Sequence, residues 1–216
     1  MAGGKLSARQ KMINLMYLVF IAMMAMNMSK EVLSAFGLMD AKFADANEMA
    51  TVTNEKLLGG LKTKAEEKPK EFEVAAVKAE QISKISEDFY NYLEQVKREG
   101  IVEKGKYEID PKTGMLPFEA MDKTDILDEL WFTGDRLTVE GEAFMQRIKD
   151  FKQSVKEIIG DDVKYIRAIE NLESRFNITD VTNNEGKSIP WLDYNFKGFP
   201  AIASYTKLTA MQNDVK

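Results

Sequence analysis

A run of 18 residues without a charge, residues 12–29, constrains this chain more than any other feature. It holds 15 apolar residues, counting Tyr17, with two Asn and one Ser. As a helix it would rise about 27 Å, close to the roughly 30 Å hydrocarbon core of a bilayer. Arg9, Lys11 and Lys30 flank it, and long basic side chains reach back to the membrane interface. A buried helix of a soluble core does not explain charges at both ends of an N-terminal run. A cleaved signal peptide shares the basic start and the apolar stretch. Here no clean A-x-A site closes the run, and the apolar pattern continues through Val32, Leu33, Phe36 and Met39. The expectation is an uncleaved signal anchor, a single transmembrane helix over residues 12–30.

Charge sets the orientation. Lys5, Arg9 and Lys11 precede the run, while Lys30 and Glu31 cancel after it. The positive-inside rule places residues 1–11 in the cytoplasm and residues 31–216 across the membrane, and an acidic, Cys-free exported part is consistent with a bacterial periplasm. Residues 1–39 carry a net +3, so the remainder carries −8 of the total −5. The 44% hydrophobic share looks ordinary only because it averages over this asymmetry: nine of the 13 Met lie in the first 50 residues.

The same counts exclude chemistry. With no Cys and no His, thiol nucleophiles, Ser-His-Asp machinery and the usual zinc sites are out of reach. A net charge of −5 argues against nucleic acid as a partner. No phosphate loop, metal-ligand spacing or nucleophile elbow occurs, so neither a cofactor nor an enzyme is expected. The carboxylate pairs Glu66-Glu67 and Asp161-Asp162 read as solvated connectors and caps.

The anchor helix has two faces. At about 100° per residue, Arg9 and Asn27 share one azimuth, with Ile13 and Phe20 near it. Asn14, Ala22, Ala25 and Ser29 cluster opposite. Small residues let helices approach, and Asn in lipid needs a partner. One face is expected to self-associate and the other to meet a different membrane protein, unless the Asn residues simply sit at the interfaces. Arg9 is either a topogenic charge or a fixed cation aimed at a partner's carboxylate. Tyr17 either packs between helices or directs its hydroxyl to a partner in the bundle. No Asp or Glu lies between Met1 and Lys30. Arg9 stays charged at working pH, so a proton-carrying acid, if proton flow is used, belongs to a partner.

The expected fold is all-α, with the anchor continuing into a periplasmic helical bundle. The first helix should run unbroken past Lys30, through Phe36, Met39, Phe43 and Ala50, and end at Gly59-Gly60. Residues 62–70 read as a charged connector with Pro69. A long helix over residues 71–99 carries the stripe Phe72, Ala76, Ala79, Ile82, Ser86, Phe89, Leu93 and Val96, and Gly100 stops it. Residues 110–114 form a turn signature able to close a small hairpin. A short helix follows near residues 124–132. The next begins at Thr138, with stripe Phe144, Ile148, Phe151, Val155 and Ile158 and Gly160 as its C-cap. Asp161 or Asp162 caps a helix carrying Tyr165, Ile169, Leu172 and Phe176. Residues 183–186 are a loop. Residues 191–200 are rich in aromatics and read as a lid on the bundle rather than a docking strip. Residues 201–216 are helical, with no stop signal.

The N-terminal run KLSARQKMINLMYLVFIAMMAMNMSKEVLSAFGLM, residues 5–39, resembles the start of the GldM (PorM) family of Bacteroidetes gliding motility and type IX secretion. The strip FPAIASYTKLTAMQNDV, residues 199–215, also looks like that family. Family members often have Pro where this chain has Ala8. The resemblance implies an inner-membrane motor subunit driven by the proton-motive force, corresponding to the N-terminal portion of the family, without its β-rich periplasmic domains. It implies a homodimer in lipid, inside a pentameric ring of a GldL-like polytopic protein, with a periplasmic arm reaching outer-membrane secretion components. By the same resemblance, Arg9 pairs with a transmembrane Glu of the ring, and Tyr17 takes part in coupling. A passive signal-anchored scaffold shares the topology but would tolerate uncharged replacements at Arg9.

Overall fold

The computed structural model of the chain describes residues 8–26, 29–160 and 162–216. Helix α1, Ala8–Met26, takes up most of the apolar run. It does not continue unbroken into the next helix: Ser29 is extended (φ −66°, ψ 145°) and caps α2, Lys30–Glu67. The Ser29 hydroxyl accepts from the Val32 N–H at 3.4 Å, and its carbonyl accepts from Val32 and Leu33. A Ser side chain offers a helix start what an apolar residue cannot, and here that local preference wins.

Gly59-Gly60 do not end α2 either. They lie on an open surface where a Cβ would meet nothing within 4 Å, and each costs about 1 kcal/mol against Ala, too little to break a helix of this length. The break falls at Lys68, and the expected charged connector shrinks to that residue. A residue before proline is pushed out of the α region; Lys68 has φ −137° and ψ 70°, and Pro69 opens α3, Pro69–Gln95. The result is a tight helical hairpin, tied across by Lys62 and Glu80 at 2.8 Å.

The predicted α3 stripe is the buried side of that helix, with Ala76, Phe89 and Leu93 deepest. Gly100 does not stop it. The chain passes instead into a π-helical segment, Val96–Glu103, which carries Lys97, Gly100 and Ile101 inward. The turn at 110–114 forms, with Gly114 N–H donating to Asp110 O at 2.7 Å and Gly114 at φ +68°. No strand pair flanks it; among the described residues the two strand pairs lie elsewhere. These are β1–β2, Phe132–Thr133 with Arg136–Leu137, and β3–β4, Val181–Thr182 with Ser188–Ile189. The second is closed by the predicted 183–186 loop.

Helix α4, Asp125–Trp131, leads through the first hairpin into α5, Val139–Ile159. Thr138 caps α5, accepting from Gly141 N–H at 3.1 Å while its hydroxyl donates to Leu130 O at 2.6 Å. A Cβ on Gly141 would come within 2.5 Å of Trp131 O, so only glycine allows this approach. The α5 stripe is buried as expected, except that Ile159 rather than Ile158 closes it. Asp162 starts the next turn by accepting from Lys164 N–H at 3.0 Å, ahead of α6, Ile166–Arg175. Asp161 lies outside the described residues.

The core is aromatic. Trp131 stacks on Phe144 at 4.4 Å and meets Phe196 edge-on at 5.0 Å; Phe89 stacks on Phe151 at 4.6 Å. Helix α7, Trp191–Phe196, caps this core with Leu192 and Phe196 buried, which is the lid role expected of residues 191–200. Gly198 N–H holds it to the Asp128 carboxylate at 3.0 Å. The last helix, α8, Ala201–Val215, is the central element: it packs on α2, α3, α4 and the π-helical segment.

Candidate functional site

The α8 helix is buried nearly all round, yet Ser204, Thr206, Thr209 and Gln212 are each 3% exposed or less. A buried polar group costs free energy unless it finds a partner. For Thr206, Thr209 and Gln212 the partners sit on α2 and at the α3–π junction, while Ser204 Oγ has none among the described residues. Thr209 donates to the Asp40 carboxylate at 2.6 Å, and Asn47 Nδ2 donates to Thr209 O at 3.3 Å. Gln212 is held at both ends of its amide: the nitrogen donates to Tyr90 O at 3.2 Å and to Glu94 Oε2 at 3.0 Å, and the carbonyl accepts from Lys97 Nζ at 3.0 Å.

Lys97 is the centre of the cluster. Its ammonium also donates to Glu94 Oε2 at 3.1 Å and sits 4.5 Å from the Tyr205 ring centre. Two hydrogen bonds and one ring face account for its three protons. The π-helical segment begins at the residue before Lys97. A wider turn carries 97 inward with Leu93 and Ile101, and π-segments recur at functional positions. The network lines a cleft of about 400 Å³, bounded by Asp40, Asn47, Tyr90, Glu94, Lys97 and Gln212 among others.

The two acids respond oppositely to this setting. Burial pushes the Asp40 carboxyl above the usual carboxylate range, against the pull of the Thr209 hydroxyl and Lys97. Burial acts in the same sense on Glu94, but Lys97 and Gln212 outweigh it and hold that carboxyl below its ordinary value. Tyr205 is raised by burial and by the nearby Asp40 and Glu94. Among the described residues no cluster of acids fits a metal ion. The arrangement joins helices: its hydroxyl–carboxylate pair, Thr209 with Asp40, is buried at 2% and 9% exposure and ties α8 to α2.

A family model described as the GldM N-terminal domain matches residues 31–216. The chain belongs to the GldM family. Membership ties it to gliding motility and type IX secretion, as a membrane-associated structural or motor component. No match to a curated protein was found. The GldM match begins at Glu31, so every position expected to act in the membrane precedes it. Arg9, Asn14 and Tyr17 lie exposed on α1, Tyr17 at 65%. Ala22 and Ala25 also lie on α1. Asn27 lies outside the described residues, and Ser29 is the α2 cap.

Among the described residues no helix is long and apolar enough to cross a membrane. Helix α1 opens with Arg9 and Lys11, and the end of the apolar run falls beyond its last described residue. Its apolar side chains are nonetheless outside: Met16, Leu18 and Ile21 are exposed by 60% or more.

No sequence pattern marks the buried network. Asp40, Asn47, Lys97 and Gln212 each look like solvent-facing positions. One signal exists: Leu33, Gly37, Asp40 and Asn47 fall on one helical line, and that line is the buried one.

Proposed function

We propose that the chain is the inner-membrane end of a motor subunit. In this reading α1 and the residues after it anchor the protein, N-terminus in the cytoplasm, and residues 31–216 form the periplasmic helical domain. As a dimer inside a GldL-like pentameric ring, it takes up motion driven by proton flow and passes it to outer-membrane secretion components. The observation that carries the reading is the GldM match over residues 31–216, joined to an N-terminal helix whose apolar side chains are exposed.

The absence of any acid before Glu31 gives the mechanism its form. The titrating carboxylate belongs to the ring, as the resemblance implies, and Arg9 is its fixed counter-charge. A ring carboxylate facing Arg9 stays ionised, while one facing apolar helix favours the protonated form. A dimer cannot satisfy five equivalent sites at once, so each protonation change moves the best partner around the ring.

Arg9→Ala should abolish gliding and type IX secretion while the complex with the ring protein still copurifies at unchanged native mass. Normal secretion by that variant would sink the motor and leave a passive scaffold.

A further inference from the structure

The cleft beside Lys97 holds more acid than its own cation answers. Asp40, Glu94 and, on an exposed turn of α2, Glu48 all line it. Lys97 is bonded to Glu94 and Gln212 and covers the Tyr205 ring. Arg98, next along the chain, pairs with Glu99 and Glu103 instead. Glu94 takes its bonds from Lys97 and Gln212 on Oε2 alone. Burial keeps the Asp40 carboxyl above its ordinary range in spite of Lys97.

Asn47 supplies the atom that points to a ligand. It lines the cleft and is 3% exposed. Its Nδ2 donates to Thr209 O at 3.3 Å, which fixes the sense of the amide. Its Oδ1 then has no donor among the described residues, and native proteins rarely leave such an acceptor unpaired. The walls also carry two phenol rings, and each already faces an ammonium group. Lys97 Nζ lies 4.5 Å from the centre of Tyr205, and Lys216 Nζ lies 4.6 Å from that of Tyr90. An aromatic face attracts a cation by its quadrupole.

We infer that this cleft binds a small aliphatic diamine, one ammonium donating to Asn47 Oδ1 beside Glu94 and the other reaching Glu48 at the mouth. A primary ammonium brings three donors and no acceptor, the converse of this lining. Size separates it from a bare metal ion. The cleft measures about 400 Å³, within the range of small-molecule sites, and among the described residues no group of acids fits a metal. Every wall belongs to α2, α3, the π-helical segment or α8, so the site stands whether or not the motor does.

Calorimetric titration of the full chain in detergent with putrescine reads the site directly. Saturable binding at one site per chain is expected. Affinity should fall about tenfold in Asn47→Leu and in Glu94→Gln, and stay unchanged in Glu67→Gln, an exposed acid at the far end of α2. Butane-1,4-diol, equally long but uncharged, should give no saturable heat. Where Asn47→Leu loses its helical circular dichroism, the exposed Glu48→Gln replaces it, with an expected fall of about threefold under solvent screening. No saturable heat with putrescine would overturn the site. So would affinity unchanged in the cleft variants, equal weakening in Glu67→Gln, or equal heat from the diol. Magnesium that saturates the cleft and displaces putrescine would also overturn it, in favour of a metal.

Discussion

Helix α8 carries Ser204, Thr206, Thr209 and Gln212 into the centre of the protein, whereas α1, with few polar residues, leaves Leu18 and Ile21 exposed by 60% or more. Composition alone would place these two helices the other way round. The difference lies in what each can find nearby. Every polar side chain that α8 brings inside meets helices on several sides, and most are paired there. The side chains of α1 meet no comparable apolar surface in the described chain, so burying them falls to something else, which we assign to lipid and partner helices. Helix α2 shares both characters: its Asp40 line is covered by α8, while Leu38, Met39 and Met49 stay exposed.

The comparison breaks most readily in the core. Phe144→Ala removes a ring stacked on Trp131 and should cost about 3–5 kcal/mol in urea unfolding of the helical body. Leu18→Ala on α1 should shift the same transition by no more than about 0.5 kcal/mol. Equal losses would mean that α1 belongs to the fold of that body.

A smaller effect is expected in the polar centre. Lys97→Met leaves Glu94 and Asp40 without their cation, and removing one partner of a buried pair costs about 3–5 kcal/mol. The Glu94 side chain is half exposed, so the expected loss is nearer about 2 kcal/mol once solvent screening is counted. Adding Glu94→Gln should recover part of it, measured as a double-mutant cycle. Simple additivity would show that the pair is not coupled.

The smallest effect is a pH dependence with opposite signs in the two acids. The folded value of Asp40 lies above its unfolded one, so its stabilising contribution is full at low pH and fades as pH rises through the folded value. The folded value of Glu94 lies below, so its contribution is present at higher pH and fades as pH falls through the folded value. Asp40→Asn should therefore gain stability relative to the parent as pH is raised from acid to neutral, and Glu94→Gln should lose it. Urea midpoints across that range, moving the same way in both variants, would refute the assignment.

How much of this was legible depended on distance along the chain. The α5 stripe, its Thr138 cap and its Gly160 stop are local, and they read correctly except for Ile159. The break at Lys68 is also legible, since proline acts on the residue before it, whereas the more conspicuous Gly59-Gly60 is no break at all. The Gly134-Asp135 turn between β1 and β2 is not legible: two strand residues on each side give almost no alternation to detect. The Lys97 network was out of reach, because its members are separated by up to 172 residues between Asp40 and Gln212, and each looks solvated alone.

The chain's sequence by itself determined the helical class, the apolar N-terminal run, the absence of Cys, His and early acids, and the inward stripes of α3 and α5. Those follow from composition and from periodicity, which act through neighbours a few residues apart. Only the tertiary structure decided which face of α2 is covered and that α8 is central. Burial of a polar side chain is favourable only when another helix supplies its partner, and that partner is chosen in space, not along the chain.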